Sequence, residues 1–174
     1  MKPNELMRAA WSARAEGKLT DAERLLGEAL SGAEQSDSPG VRVQCLVKIS
    51  HVMQDQGRAR EAGEAAREAV SAARTLHDPR LLAWAVRHLG DVCRADGQLG
   101  DAAARYREAI SLYAELPEPP PLDVANALRP LAIVMESEGD TARASELWEE
   151  ARRLYGLVGI QEGVDEASAH LAAL

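Results

Sequence analysis

The chain has 174 residues and a formal net charge of −8; 46% of its residues are hydrophobic and none is phenylalanine. Because nucleic-acid binding depends largely on lysine and arginine side chains that neutralise phosphates, this acidic balance argues against a nucleic-acid partner. The N-terminal segment lacks the apolar run of a signal peptide and no stretch approaches the about 18 consecutive apolar residues of a membrane-spanning helix, so the expectation is a soluble cytoplasmic protein with no membrane partner.

A segment of similar sequence occurs four times along the chain, and each copy contains a glycine at the turn between two helical patterns. These glycines are spaced by 40, 40 and 42 residues, and they are Gly17, Gly57, Gly97 and Gly139. Self-similarity at a period of this size is typical of stacked helical hairpins. The abundance of alanine, which has the highest helix propensity, supports an all-α fold in a single domain over residues 1–174.

The predicted helices follow one another from proline starts to glycine turns, since proline is tolerated in the first turn of a helix. The first helices of the hairpins, called A-helices, are predicted at about 4–16, 39–56, 79–96 and 122–138. The second, or B-helices, are predicted at about 20–35, 60–76, 100–114 and 142–156. The four hairpins thus cover about 3–36, 39–76, 79–114 and 121–156.

Two features in the C-terminal part of the sequence depart from the hairpin pattern. A single helix at about 160–173 places Val164, Ala167 and Leu171 on one stripe with acidic residues opposite, which is typical of a helix that caps a stack. Pro130 lies two turns inside the last predicted A-helix, where its ring would clash with the preceding turn. A kink at Pro130 and a later helix start are both compatible with this pattern.

The repeated segments resemble the tetratricopeptide repeat (TPR) family over nearly the whole chain. With the turn glycine at repeat position 15, positions 4, 7, 8, 11, 20, 24 and 27 of the third repeat are Val86, Leu89, Gly90, Cys93, Ala102, Tyr106 and Ala109. The same positions of the fourth repeat are Leu128, Leu131, Ala132, Met135, Ala144, Trp148 and Ala151. The resemblance implies a right-handed α-α superhelical solenoid of four TPR hairpins plus a C-terminal capping helix. The period exceeds the common TPR length of about 34 residues, as in the long-helix subclass that includes kinesin light chains and regulatory TPR proteins of bacteria.

The resemblance also implies a protein–protein interaction scaffold that binds a peptide or protein segment in a concave groove lined by the A-helices. The inward repeat positions give the candidate groove residues Met7, Trp11, His51, Trp84, Arg87, Asp91, Arg94 and Arg129. The three arginines suggest capture of an acidic or C-terminal peptide, because guanidinium groups bind carboxylates well. Trp11 and Met7 are the predicted apolar anchors. Alternatively, the arginines pair with Asp91, Glu136 or solvent, and Trp84 packs against a neighbouring hairpin.

Nothing in the sequence favours an enzyme, a metal site or a cofactor. The four histidines lack metal-ligand spacing, and no nucleophile has an orienting partner, although His51 and Asp91 are expected to be neighbours. The alternative to a peptide-binding adaptor is a self-assembling or end-docking structural module, or the TPR part of a larger regulatory protein. The expected oligomeric state is a monomer or a weak homo-oligomer.

Overall fold

The computed structural model describes residues 1–174, which form nine α-helices and no strand. Each predicted helix is present, and its ends lie within two residues of the predicted ones. The helices are α1 Pro3–Ala15, α2 Leu19–Gln35, α3 Pro39–Asp55, α4 Ala59–Arg74, α5 Pro79–Ala95, α6 Leu99–Ala114, α7 Pro121–Ser137, α8 Thr141–Leu157 and α9 Gln161–Ala173.

Local sequence signals account for where these helices begin and end. All four A-helices begin with a proline, and the Asp78 carboxylate caps α5 by accepting a 3.0 Å hydrogen bond from the Leu81 backbone N–H. The turn glycines have φ between 74° and 78°, a left-handed conformation that glycine adopts without steric cost. These turns stop each A-helix and return the chain along it.

The hairpins stack so that the A-helices form one layer and the B-helices another. Helix α1 contacts α3, α3 contacts α5 and α5 contacts α7, whereas the B-helices of successive hairpins are not in comparable contact. The stack is therefore tighter on the A-helix side, which makes that side concave. We call this side, formed by α1, α3, α5 and α7, the inner face.

Within a hairpin, the two helices approach closely where a small residue faces a large one. In the third hairpin, a Cβ built on Gly90 would lie 2.7 Å from Cε1 of Tyr106, and the Tyr106 side chain is fully buried. In the first hairpin the equivalent repeat positions hold Ala10 and Leu26, and both side chains are fully buried. The identity of one residue therefore constrains the size of the other.

Helix α7 runs without interruption from Pro121 to Ser137, with Pro130 buried inside it. Of the two explanations for Pro130, the later helix start is thus wrong. The side chain of Asn126, one turn earlier, accepts a 2.9 Å hydrogen bond from the Tyr155 hydroxyl, which ties the first half of α7 to α8.

The C-terminal helix α9 packs against α8 and closes the stack, as predicted. Ala167 is fully buried, and Val164 and Leu171 pack against the last core cluster. Glu162 and Asp165 face solvent on the opposite side. One apolar face and one solvated face are what a terminal element of a repeat stack requires.

Replacing Gly163 by alanine should weaken the docking of α9. The new Cβ would lie 2.5 Å from Cγ of Tyr155, an atom too close to the backbone to move away. Overpacking of this kind typically costs about 1 to 3 kcal/mol. We expect amide hydrogen exchange over residues 161–173 to accelerate about ten-fold or more. The control Gly156→Ala places its Cβ 4.0 Å from Val164, an ordinary contact, and equal exchange in both variants would contradict the packing argument.

Candidate functional site

The eight residues predicted to line the groove all lie on A-helices, but they differ in accessibility. Trp11 is 38% exposed, whereas Met7 is only 4% exposed. Met7 packs beside Leu6 and Ala10 in the core of the first hairpin, together with side chains from α3. Close packing of α1 on α3 places most of this side chain in the seam between them, and the remainder lines the cavity that opens there.

His51 and Asp91 are neighbours as expected, and His88 lies between them. The His51 Nε2 atom is 2.9 Å from His88 Nδ1, which is 3.1 Å from Asp91 Oδ2. Arg87 contacts both Asp91 and His88. Its Nη1 atom lies 3.2 Å from Asp91 Oδ2, and its Nη2 atom lies 2.6 Å from His88 Nε2. The Tyr106 hydroxyl donates a 2.9 Å hydrogen bond to the other oxygen of Asp91. We call these five residues the central cluster.

The hydrogen bonds determine which ring nitrogen of His88 carries the proton. A guanidinium only donates, so His88 Nε2 accepts from Arg87 and Nδ1 holds the hydrogen. That N–H points at both Asp91 Oδ2 and His51 Nε2. The central cluster is therefore internally satisfied.

Burial sets the charges of the central cluster. Burial lowers the pKa of His51 to about 4, with a further contribution from His88, and burial also lowers the pKa of His88. For Asp91, burial alone would raise the pKa, but the hydrogen bond from His88 and the charge of Arg87 outweigh it and lower the pKa. At neutral pH the cluster thus holds two neutral imidazoles and one ion pair.

The imidazole and carboxylate donors of the cluster raise the question of a metal. One ligand atom each from His51, His88 and Asp91 lie within 4.8 Å of one another. A metal on His88 Nδ1 would move the ring proton to Nε2, which faces the Arg87 guanidinium, a group that has no acceptor. The arrangement therefore fits an ion-pair network better than a metal centre.

The three groove arginines do not form a free cationic patch. Arg87 pairs with Asp91, one of the alternatives left open by the sequence. Arg129 Nε donates a 2.7 Å hydrogen bond to Glu166 of α9, and this bond raises the pKa of Arg129. Arg94 is exposed and has no carboxylate within 4.0 Å. The expectation of three convergent cations is thus corrected, because two of them are already neutralised.

Glu136 is engaged by residues other than the arginines. It lies 2.9 Å from His170 Nδ1 and accepts a hydrogen bond from the Trp148 indole. The His170 ring stacks on Trp148 with a centroid distance of 4.3 Å. No pattern in the sequence predicts this cluster, because the contact depends on how α9 docks.

Two adjoining cavities open on the inner face near the N-terminal ends of α1, α3 and α5. The first has a volume of about 990 Å³ and lies between α1 and α3, and the second has about 410 Å³ and reaches Trp84 on α5. Gln44 and Lys48, one turn apart on α3, line both. We call the joined cavities the N-terminal groove, with Trp11 at one end and Trp84 at the other.

Trp11 and Trp84 occupy different environments in this groove. The Lys48 ammonium lies 4.0 Å from the centre of the Trp11 ring, and the Arg14 guanidinium lies 4.5 Å from it. Trp84 packs partly on the core of the second and third hairpins and meets the His88 ring edge-on at 4.6 Å. Part of the Trp84 side chain thus packs on this core, and another part lines the groove.

Comparison with known families supports the repeat interpretation. Residues 42–115 match the family model described as tetratricopeptide repeat. The repeats within residues 42–115 are therefore similar to tetratricopeptide repeats, and the chain as a whole has a TPR-like helical repeat fold. The TPR fold is one used for protein–protein interaction and is typically a non-catalytic scaffold. No curated protein matches this TPR sequence at a significant level.

Solved TPR-like structures share the fold of the whole chain at low sequence identity. BtubC (BKLC) from P. vanneervenii is 20% identical with a TM-score of 0.75, and the match covers 98% of this chain and 80% of that one. A Rap protein complexed with Competence and Sporulation Factor is 18% identical with a TM-score of 0.84, over 93% of this chain and 45% of that one. A candidate kinesin light chain from Podosopora anserina is 17% identical with a TM-score of 0.69, and the match covers 98% of this chain and 93% of that one. None of the helices in this TPR chain is both long and apolar enough to cross a membrane.

Proposed function

We propose that this TPR protein is a non-enzymatic adaptor that binds an extended segment of a partner protein, acidic or C-terminal in character, on its inner face. The observation that carries the proposal is the N-terminal groove, which runs past two tryptophans in a fold used for protein interaction. Tryptophans at the centre of an interface often contribute much of its binding energy. The Rap protein of similar fold, solved with Competence and Sporulation Factor, is consistent with a binding role.

The central cluster supports a binding role over catalysis. His88 is hydrogen-bonded at both ring nitrogens, and Asp91 is held by Arg87 and Tyr106. A general base needs a free lone pair within reach of a substrate proton. The cluster instead packs beside the groove, where the His88 ring meets Trp84 edge-on at 4.6 Å.

Selection of peptides from a random display library would test the groove. Peptides that bind the parent protein should bind Trp11→Ala about ten-fold more weakly or worse, because the variant loses the exposed aromatic surface. The control is Leu157→Ala, which removes a 65% exposed side chain at the far end of the stack. Fluorescence anisotropy gives the affinities, and unchanged binding by Trp11→Ala would contradict the proposed groove.

A second candidate function, docking through the C-terminal end, has one specific observation in its favour. The turn between α8 and α9 exposes Leu157, Val158 and Ile160, which are three large apolar residues in one short segment. Such a patch fits self-association or an end-on partner. Light scattering at two concentrations, with Leu157→Ser as the comparison, would show a mass that rises with concentration only in the parent if this candidate holds.

A further inference from the structure

Lys48 is a partly buried cation of the inner face without a counter-ion, whereas Arg8 and Arg94, which also lack a carboxylate within 4.0 Å, are exposed. Its neighbours are paired: Arg14 with Asp55 at 2.5 Å, and Arg80 with Asp123 at 2.8 Å. Lys48 is partly buried, and no carboxylate lies within 4.0 Å of its ammonium nitrogen. A partly buried charge without a counter-ion is uncommon, because removal from water costs free energy that a partner normally offsets.

The surroundings of Lys48 offer only partial compensation. Burial lowers the pKa of Lys48, and the positive charge of Arg14 lowers it further. The Trp11 ring, 4.0 Å away, provides a cation–π contact, which is weaker than an ion pair in a partly desolvated site. An anion that entered the groove would therefore meet a cation whose charge is not yet balanced.

The acidic residues that line the groove are already engaged elsewhere. Glu5 accepts a 3.0 Å hydrogen bond from the Lys2 backbone N–H, and Asp78 caps α5. Asp123 is paired with Arg80. None of them lies within 4.0 Å of the Lys48 ammonium, so the chain itself supplies no counter-ion.

We propose that Lys48 binds a carboxylate of the partner segment, an inference that rests on the proposed function of the groove. Gln44 lies one turn away on the same face of α3 and offers an amide N–H to the same group. Trp11 and Trp84 at the two ends of the groove contact the residues on either side of that carboxylate. A carboxylate carries the single negative charge that balances the charge of Lys48.

The carboxylate has two possible sources, a chain terminus or an aspartate or glutamate side chain, and synthetic decapeptides distinguish them. One pool has only neutral residues and an amidated terminus, the second has the same residues with a free α-carboxylate, and the third is amidated with one internal aspartate. We expect at least one carboxylate pool to bind about ten-fold tighter than the neutral pool. The pool that binds identifies the source.

Matched variants assign the preference to Lys48. The Lys48→Gln variant should lose the preference for carboxylate peptides over neutral ones. The Lys48→Arg variant, which keeps the charge, should retain most of this preference. Lys18→Gln removes the same charge from a 61% exposed side chain in the turn between α1 and α2 and should bind as the parent does. Circular dichroism of each variant verifies the fold.

A second readout is specific to a direct contact. With the lysines ¹³C-methylated, the NMR titration of Lys48 should move to higher pH when the best carboxylate peptide is bound, since an anion stabilises the charged ammonium. An unchanged titration, or equal binding of all pools by parent and Lys48→Gln, would overturn the assignment of Lys48 and leave the groove proposal intact. If no pool binds the parent at all, both proposals fail.

Discussion

Replacing Gly90 by alanine is expected to lower the free energy of unfolding by about 1 to 3 kcal/mol, even though alanine is the better helix former. The added Cβ would lie 2.7 Å from Cε1 and 2.9 Å from Cδ1 of Tyr106. Tyr106 has little freedom to move, because it is fully buried and its hydroxyl is bonded to Asp91. Urea unfolding, followed by circular dichroism, measures the difference.

Two further variants test whether the close contact with Tyr106, and not alanine in a helix as such, lowers the free energy of unfolding. Gly27→Ala lies inside α2 with no atom within 4 Å of the new Cβ, so it should be neutral or stabilising by up to about 1 kcal/mol. The double variant Gly90→Ala/Tyr106→Leu recreates the pairing of Ala10 with Leu26 in the first hairpin and should recover part of the loss. A Gly90→Ala protein as stable as the parent would show that the third hairpin adjusts freely.

Acidification should destabilise the protein through His51 before most carboxylates are protonated. The folded-state pKa of about 4 lies below the ordinary value of 6.5, so between these two pH values the unfolded chain binds a proton that the folded protein excludes. The stability contributed by neutral His51 is therefore complete above about pH 6.5 and is lost as the pH falls towards 4. At pH 4.5 the loss amounts to about 2 to 3 kcal/mol.

The parent and His51→Gln, compared by urea unfolding at pH 7.5 and 4.5, isolate this contribution. The variant should lose less stability on acidification, because glutamine does not titrate, while the groups around His51 remain: His88, Asp91, Arg87 and Arg14. His77→Asn, in an exposed turn, serves as the control and should follow the parent. An equal pH dependence for the parent and His51→Gln would contradict the role of His51 burial.

Local and periodic features of the sequence predicted the architecture with few errors. The four glycine turns, the proline helix starts and the small residues at the helix crossings depend on neighbours in sequence or on the repeat itself. Even the proximity of His51 to Asp91 follows from their equivalent repeat positions on successive A-helices. His88, three residues before Asp91 on the same helix face, could have been added by the same reasoning.

Accessibility and charge pairing of the groove residues were less predictable. Met7 and Arg129 share an inward repeat position, yet Met7 is buried between α1 and α3, and Arg129 is neutralised by Glu166 of the last helix. The partner of Arg129 lies 37 residues away and outside the repeats. Lys48 is not among the predicted groove residues, because its missing counter-ion is a property of the space around it.

The sequence by itself therefore determined the helices, their order and the face on which the A-helices meet, since a regular repeat converts local preferences into a stack. The tertiary structure alone decided which inward residues remain available to a partner. That decision depends on how closely α1 approaches α3, where α9 docks and which carboxylates reach which cations. These distances arise from side-chain packing across the whole stack, and a change of a few ångströms determines whether a charge such as that of Lys48 is balanced within the chain or left for a ligand.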